Sequence, residues 1–466
     1  KEKKRLGLGF YVMKNGPIAE DCDDYDIYSA CIVHLLTIQA GVNMAFSAIL
    51  LPRLKEPDSD LHIKEWEGPW IASLVAISLP IGSLMSGPLM DRYGRRNVSL
   101  FLCIPYLISW ILIFWAYDVV WLYVGRVLAG AAGGISSVAI YYTSETVNHM
   151  WRPMLLGLNS VFVSIGILLT AIFGYWFHWR TVAVIFAGIT ALIFCLVTAL
   201  PESPHWLLSF GNGTQDLRRI TEEFNQLLIA YRTGTLTSNV QNETLKQRLE
   251  AFRRPEIYKP IILLLITFFF QQTTGTYVII FHAVDLFKNL GGSFGFLDEY
   301  GAMVAMGIFR LIMAIVSLIL SRRCGRRTLC ITSGLGMGIS MICAFIYTEV
   351  SKSDNKTPTL ILVFLFICFC AIGWQSIPWT LTGELLPTRV RAIVGGIMIS
   401  YTYFLMFLAV QTYPALEKQI NIKGVFLTFG IMSLLSTTYV WKYLPETFGK
   451  TLTEIEQGNN PCANYI

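Results

Sequence analysis

The chain has 466 residues, of which 54% are apolar and only 14% are charged, and its formal net charge is +5. Soluble domains carry about 25% charged residues, so this composition excludes an ordinary soluble enzyme and favours a polytopic membrane protein. The positive-inside bias of membrane loops accounts for the small excess of positive charge, which gives no reason to expect nucleic-acid binding.

Twelve apolar runs near 20 residues, the length that crosses ~30 Å of hydrocarbon, predict twelve transmembrane helices. Helices α1 to α6 are predicted at 27–51, 69–89, 98–116, 119–142, 154–176 and 180–200. Helices α7 to α12 are predicted at 259–283, 299–320, 328–349, 358–383, 392–412 and 423–444. The predicted fold is therefore an all-α membrane protein with two six-helix halves.

Polar segments divide the chain around these helices. A tail of residues 1–26 precedes the first half, 27–200, and a tail of residues 445–466 follows the second half, 259–444. The long polar segment 201–258 between the halves is the predicted hinge, and it contains two short amphipathic stretches at 217–231 and 244–252.

Lys and Arg are distributed unequally between the two sides of the predicted bundle. The tails and the even-numbered connections hold 23 of them, and the opposite loops hold 9. This bias predicts that both termini and the central segment are cytosolic. Of the glycosylation sequons, only Asn355-Lys-Thr would then lie outside, so Asn355 is the one candidate acceptor.

The two halves repeat the same motifs at matching helix ends. Residues 91–96 read Asp-Arg-Tyr-Gly-Arg-Arg after α2, and residues 322–327 read Arg-Arg-Cys-Gly-Arg-Arg after α8. A Glu stands seven residues before an Arg after α4 and again after α10, and Pro-Glu closes α6 and α12. The offsets of 231 to 244 residues predict two structurally related halves around a substrate site at the midplane.

These charged residues suggest a gate at the cytosolic surface. A single exposed ion pair contributes only ~0–1 kcal/mol. A network across several helix ends would exist only when the cytosolic ends are together, and it would bias the protein toward the outward-open state. The alternative is that the charges only orient the helices in the membrane. The gate candidates of this type are Asp91, Arg92, Arg95, Arg96, Arg126, Glu145, Arg152, Glu202, Glu384, Arg391 and Glu446.

Seven motifs in this order resemble the sugar porter family of the major facilitator superfamily. They are residues 91–96, Gly125-Arg126 with Gly130, Glu145 with Arg152, Pro201-Glu-Ser-Pro204, Gln271-Gln272 with Gly275, Pro378-Trp379 with Glu384 and Arg391, and residues 445–450. The chain most resembles the insect facilitated trehalose transporter group. The resemblance implies an alternating-access carrier of the plasma membrane with the major facilitator fold, whose small-molecule substrate is a sugar.

The resemblance also implies where the substrate binds. In the family both glutamines corresponding to Gln271 and Gln272 bond sugar hydroxyls, and an amide suits a neutral polyol because it both donates and accepts. The alternative is that this pair bonds neighbouring helices. Trp379 keeps its family position as an apolar floor, for which the alternative is an interfacial tryptophan.

Several family positions are altered in this chain. Tyr277 and Thr402 replace asparagines, Ser160 replaces a glutamine, and Phe281 and His282 stand where the family has an outer aromatic gate. We expect the first three to line the cavity and the last two to act in gating.

Arg310 is the largest departure from the family. It lies twelve residues before Arg322, about 18 Å from the cytosolic end, where sugar porters usually have Asn. A charge near the bilayer centre costs at least ~2.5–3.5 kcal/mol and must face water or a partner. Either it binds an acidic group of the substrate, or it hydrogen-bonds groups of the bundle.

The energy source follows from α1. Proton-coupled sugar porters place an Asp in the middle of this helix, whereas residues 27–51 contain no acidic residue and one near-neutral titratable group, His34. Facilitated diffusion is therefore predicted, with no ATP-binding loop, cofactor or catalytic residues expected. No pair of the ten cysteines has CxxC spacing, so no metal site is predicted either.

Two alternatives remain open: a carrier of an anionic or other nonsugar metabolite that uses Arg310, and a nontransporting sugar sensor. Neither the oligomeric state nor the particular solute follows from the sequence.

Overall fold

The computed structural model describes eleven parts of the chain. They are residues 18–56, 59, 61–147, 152–203, 206, 255–290, 293–294, 297–321, 323–350, 357–386 and 391–446. Within them only the backbone is described at 18–26, 152–153, 255–257, 293–294, 297, 383–384 and 391–393. Asn355, most of the predicted hinge and both of its amphipathic stretches lie outside the described residues.

The described residues confirm the predicted helices of the first half, with changes of a few residues at most ends. They are α1 Ile18–Leu54, α2 Glu67–Tyr93, α3 Arg95–Phe114, α4 Val119–Ile135 continued by Val138–Thr146, α5 Arg152–Trp176 and α6 Trp179–Val197. The exception is α1, which begins at Ile18, nine residues earlier than predicted and within the predicted tail 1–26.

The second half follows the same plan. Its helices are α7 Pro255–Thr273 continued by Thr276–Phe281 and Ala283–Asn289, α8 Glu299–Leu320, α9 Arg326–Val350, and α10 Thr357–Ile372 continued by Ile377–Leu385. The last run is Arg391–Tyr443, within which Asn421 has a non-helical backbone with φ 58° and ψ 168°. A straight helix of 53 residues would be about 80 Å long, so we divide the run at Asn421 into α11 and α12.

Contacts on either side of Asn421 and just beyond the end of the last run show that the chain reverses direction at Asn421. Lys418, before the reversal, is 3.5 Å from Glu65 in the α1–α2 loop, and Lys423, after it, is 3.1 Å from Glu349 at the end of α9. Glu446 lies at the opposite end of the bundle, where its carboxylate accepts a hydrogen bond from the Arg326 amide. The prediction of two separate helices in this run is therefore confirmed.

Three helices that the sequence predicts as continuous are interrupted. The interruptions are at 136–137 in α4, at 274–275 and His282 in α7, and at 373–376 in α10. The predicted α10 contains Pro378, a residue type that breaks helix interiors, whereas the interruptions of α4 and α7 were not expected. An interrupted helix frees backbone groups in the middle of the bundle, where lipid cannot satisfy them but a protein cavity can. One further difference is a short antiparallel hairpin between α7 and α8, β1 Ser293–Phe294 with β2 Leu297–Asp298.

The two halves pack in the same way. In the first half α2 packs on α4 and α3 on α6, and in the second half α8 packs on α10 and α9 on α12. The halves meet where α2 packs on α11 and α5 on α8. The outward faces stay apolar, and on α8 Ile308, Ile312, Ile315 and Ile319 repeat at helical spacing while remaining 43–53% exposed. This face is suited to lipid.

Candidate functional site

Gln271 and Gln272 lie in the middle of α7 and are both buried, with exposed fractions of 0% and 2%. The Gln271 side-chain amide donates to the carbonyl oxygens of Trp374 at 2.7 Å and Gln375 at 3.4 Å, which the interruption of α10 has freed. Gln272 Nε2 is 3.5 Å from Gln271 Oε1, and Gln272 Oε1 has no partner among the described residues. Gln271 therefore ties α7 to α10, and Gln272 is the glutamine left with an unused acceptor.

An aromatic cluster lies beside the glutamines. The Trp379 ring is 5.3 Å from Phe268 and 5.7 Å from Tyr403, measured between ring centroids. The Trp379 side chain also hydrogen-bonds Tyr277, with the indole N–H as the donor. This aromatic cluster of Phe268, Tyr277, Trp379 and Tyr403 joins α7, α10 and α11, and its flat apolar faces are suited to stack on a ring.

The remaining two predicted cavity residues have different environments. Thr402 is fully buried, and its hydroxyl donates to the Met398 carbonyl one turn earlier at 2.8 Å. Its donor is thus used within α11, which leaves only acceptor capacity for a ligand. Ser160 on α5 is half-buried.

Arg310 is buried in the middle of α8, with an exposed fraction of 2%. Its titratable neighbours are the Cys370 thiol and the Tyr277 hydroxyl. Its Nε and Nη2 atoms have no hydrogen-bond partner in the part of the chain that the structure describes. The guanidinium thus reaches the junction of α7 and α10 with part of its donor capacity unused.

Arg126 lies in α4, away from the predicted cytosolic gate. Its Nε donates to the Ile71 carbonyl at 3.2 Å, and its Nη2 donates to the Asn43 carbonyl at 3.0 Å and to the Ser47 hydroxyl. The guanidinium carbon is also 5.9 Å from the centre of the Phe46 ring. All these partners belong to α1 and α2 and none is a carboxylate, so the structure does not bring Arg126 to the other gate candidates.

At the predicted cytosolic end of the first half, charged groups form a connected network. Arg95 Nη2 is 2.8 Å from Glu145 Oε1, and the other oxygen of Glu145 accepts from the Ser203 hydroxyl at 2.6 Å. Glu202 Oε1 accepts from the backbone amides of Arg95 at 2.7 Å and Arg96 at 3.0 Å. The carboxylate therefore caps the free N–H groups at the start of α3, where the helix dipole favours a negative charge.

Gly94 makes this capping possible. Its φ of 87° is accessible to glycine, and a Cβ atom built on it would overlap the Glu202 carboxylate. The turn between α2 and α3 therefore requires glycine for two reasons, backbone conformation and space.

The second half repeats the arrangement. Glu446 accepts from the backbone amides of Arg326 at 2.8 Å and Arg327 at 3.2 Å, and Gly325 lies against that carboxylate as Gly94 lies against Glu202. The Arg96 side chain donates to the Thr198 carbonyl of α6, and the Arg327 side chain donates to the Trp441 carbonyl of α12. The repeat seen in the sequence is therefore a repeat of contacts.

The other gate candidates are less closely connected. The Asp91 carboxylate is 57% exposed and 3.8 Å from Arg95, and the Arg92 guanidinium lies over the neighbouring Tyr93 ring. The side chains of Arg152, Glu384 and Arg391 lie outside the described residues. Among the described residues, the contacts of each network lie within one half. These contacts therefore do not require the ends of the two halves to touch each other.

Contacts between the halves lie at the middle and at the opposite, predicted outer end. Lys55 is 3.0 Å from Asp285, Lys418 is 3.5 Å from Glu65, and Arg53 lies 5.2 Å from the Tyr300 ring centre. Deeper in the bundle the Ser73 hydroxyl donates to Gln411 at 2.6 Å, and the Ser83 and Ser400 hydroxyls are 2.8 Å apart. These contacts between described residues therefore hold the predicted outer ends of the halves together.

The predicted outer gate residues belong to this region. Phe281 is fully buried, and His282 Nε2 is 3.4 Å from the Val410 carbonyl of α11, with its ring 5.0 Å from Tyr413. The sequence analysis did not identify the Lys55–Asp285 pair or the partners of Arg126 on α1, because these pairs are formed between distant helices. A signal for the Lys55–Asp285 pair lies in the position of Asp285, fourteen residues after the mid-helix Gln271 and therefore near the end of α7.

The chain has similarity to known proteins over most of its length. A family model described as "Sugar (and other) transporter" matches residues 32–458. A protein of Culex quinquefasciatus named facilitated trehalose transporter Tret1 is 27% identical over 466 residues, which cover 97% of this chain and 88% of that protein. A protein of the same name from Aedes aegypti is 27% identical over 92% of this chain but 54% of its own length, so the chain spans about half of this relative.

Solved structures show the same fold. The proton:xylose symporter XylE bound to 6-bromo-6-deoxy-D-glucose matches with a TM-score of 0.76 at 21% identity, over 93% of this chain and 99% of that chain. This similarity confirms the predicted arrangement of twelve helices in two halves.

Proposed function

Because the chain belongs to the sugar transporter family, we propose that this multi-pass membrane protein is a facilitative carrier of a sugar, such as trehalose or a hexose, across the plasma membrane. The observation that carries the proposal is the buried polar site at the junction of α7 and α10. There Gln272 retains an unused acceptor beside the aromatic cluster. Amides and aromatic faces are the groups that bind a neutral polyhydroxylated ring.

The surroundings of Arg126 support facilitated diffusion over proton coupling. A proton-coupled carrier needs a carboxylate that gains and loses a proton within the membrane. The described partners of Arg126 are two carbonyl oxygens and a hydroxyl, and Asn43 on α1 contributes a backbone carbonyl. No carboxylate lies next to Arg126 among the described residues. Arg126 therefore has no described acidic partner whose charge a proton could neutralise.

The contacts at the two ends support alternating access. Opening toward the predicted outer side requires the Lys55–Asp285 and Ser73–Gln411 contacts between the halves to break. The end networks within each half, formed by Arg95, Glu145 and Glu202 and by Arg326 and Glu446, keep each bundle rigid while it moves as a body. Both termini at the cytosolic side complete the proposal, in agreement with the bias in Lys and Arg.

Uptake into proteoliposomes tests the proposal. We expect purified protein to exchange labelled trehalose or hexose until the inside and outside concentrations are equal, with no further accumulation under an imposed pH gradient. Accumulation above equilibrium would contradict facilitated diffusion. Saturable binding by folded protein without any flux would favour the sensor alternative.

The two glutamines are expected to differ when they are replaced one at a time. Gln272→Ala should raise the KM for sugar about tenfold, since it removes the Oε1 acceptor that has no partner among the described residues, and should leave thermal stability nearly unchanged. Gln271→Ala should lower the melting temperature, because it leaves the Trp374 carbonyl buried without its donor. Equal effects of both changes on KM and stability would contradict this division of roles.

A further inference from the structure

The middle of the bundle contains two arginines, one in each half. Arg310 lies eleven residues after Glu299, about 16 Å into α8, and Arg126 lies seven residues after Val119, about 10 Å into α4. Both are at least 98% buried. A guanidinium keeps its charge under these conditions, so the middle of the bundle holds two permanent positive charges.

The acidic side chains that the structure describes all lie near the ends of the helices or in the loops. Those within helices are Glu67, Asp91, Glu145, Asp285, Glu299, Glu349 and Glu417, and Asp118 and Asp298 stand one residue before α4 and α8. Among the described residues, the buried positive charges therefore have no carboxylate at their depth. Buried charges in proteins are ordinarily paired, so this imbalance calls for a counter-charge from another molecule.

Arg310 has the geometry to bind such a counter-charge. The two nitrogens without a partner, Nε and Nη2, share one edge of the planar guanidinium, and their N–H bonds are parallel. This edge matches the two oxygens of a carboxylate, which accept a pair of parallel hydrogen bonds from it. The unused donors are therefore those that a carboxylate would take.

The position of Arg310 on α8 places this edge at the substrate site. Its neighbour Tyr277 belongs to the aromatic cluster, and Cys370 hydrogen-bonds Thr276 at the start of the second segment of α7. One turn before Arg310, Gly307 approaches Leu168 of α5, across the boundary between the halves. Two turns after it, Ser317 donates to the Ile372 carbonyl in the interruption of α10.

A structural role alone leaves part of this arrangement unexplained. Cys370 lies in the last turn of the first segment of α10, whose C-terminal carbonyls carry partial negative charge that favours a nearby cation. That interaction accounts for a positive charge at this position. It does not use the free edge of Nε and Nη2.

We propose that the site takes a sugar acid, a polyhydroxylated ring or chain bearing one carboxylate, which binds the free edge of Arg310. The proposal rests on the proposed transport function and names the substrate class for the same site. In this arrangement the aromatic cluster and Gln272 bind the polyol part, and Arg310 binds the carboxylate.

The test uses the purified full chain in proteoliposomes with the membrane potential clamped at zero. Uptake of labelled gluconate and glucuronate is compared with uptake of labelled glucose and trehalose in the wild type, Arg310→Gln and Arg310→Lys. The matched control is Arg323→Gln, which removes an exposed arginine beyond the end of the same helix. Size-exclusion chromatography establishes that each variant is folded.

We expect the wild type and Arg323→Gln to transport the sugar acid, and Arg310→Gln to lower that uptake at least about tenfold while keeping uptake of neutral sugar. Arg310→Lys should fall between them, because an ammonium keeps the charge but cannot form two parallel bonds. Sugar-acid uptake by the wild type should also change with an imposed membrane potential, whereas neutral sugar uptake should not.

Two outcomes would overturn the inference without touching the proposed function. One is uptake of neutral sugar by the wild type without uptake of gluconate or glucuronate and without inhibition by either of them. The other is an equal loss of neutral-sugar uptake and sugar-acid uptake in Arg310→Gln. A melting-temperature screen of the wild type with the same solutes provides a readout that needs no variant, and the absence of any shift with sugar acids would count against the inference. Failure of folded wild type to move any of these solutes would instead overturn the proposed function.

Discussion

Replacing Gly134 by valine is expected to prevent most of the protein from folding, the largest effect of any single change we predict. A Cβ atom at Gly134 would lie 2.6 Å from the Ser83 amide nitrogen and 2.9 Å from the Gly82 carbonyl carbon, both backbone atoms of α2. Backbone atoms cannot rotate away as side chains do, so α2 and α4 would have to separate. We expect a cost of about 3 kcal/mol or more, measured as lost monodisperse protein and a lower melting temperature.

The other side of the same contact gives an independent check. Gly82 faces Ala131 and Gly134 in the same way, so Gly82→Val should have a similar effect. Gly188→Val is the matched control, because a Cβ atom there meets nothing within 4 Å and the residue faces outward on α6. If Gly134→Val gave as much monodisperse protein and as high a melting temperature as Gly188→Val, the result would contradict the close approach of α2 and α4.

Replacing Glu145 by alanine is expected to have the second largest effect. The Arg95 side chain is 9% exposed and the Glu145 side chain 15%, and they are 2.8 Å apart. Without Glu145, the Arg95 side chain keeps, among the described residues, only the Met90 carbonyl at 3.1 Å and the Asp91 carboxylate at 3.8 Å. Leaving a largely buried charge without its partner costs about 3–5 kcal/mol, so the melting temperature should fall markedly.

A double-mutant cycle separates this interaction from general damage. Arg95→Met added to Glu145→Ala should cost much less than the sum of the two single changes, because no unpaired charge then remains. Asp91→Ala is the control, since its carboxylate is 57% exposed and 3.8 Å from Arg95, and it should cost less than about 1 kcal/mol. Additive effects of Arg95→Met and Glu145→Ala would contradict the direct pairing.

The halves themselves were predictable because hydropathy and charge are local properties of the chain. An apolar run of 20 residues needs a membrane whatever surrounds it. The repeated Gly-Arg-Arg and Pro-Glu motifs likewise mark turns that form from nearby residues. Glu202 and Glu446 occupy equivalent positions against the starts of α3 and α9, as the repeat predicted.

The interruptions of α4 and α7 were not predictable in the same way. The predicted helices 119–142 and 259–283 extend across 136–137 and 274–275, so a scan for 20-residue segments passes over these positions. The interruption of α10 shows how freed backbone groups find partners on other helices, since Gln271 of α7 donates to the Trp374 carbonyl 103 residues away. The position of Arg126 was not predictable for the same reason. Its motif suggested the cytosolic gate, whereas packing placed its side chain against α1.

By itself the sequence determined a membrane protein with few charges, most of them at the helix ends in a twofold pattern, and with an arginine in the middle of α8 that the pattern does not explain. Only the tertiary structure decided which polar groups of the site are already satisfied. The Gln271 amide is used within the bundle, whereas the Gln272 Oε1 acceptor and one edge of Arg310 have no partner among the described residues. The reason is physical: the residue type sets what a side chain can donate or accept, but its partners come from helices that meet only when the chain folds.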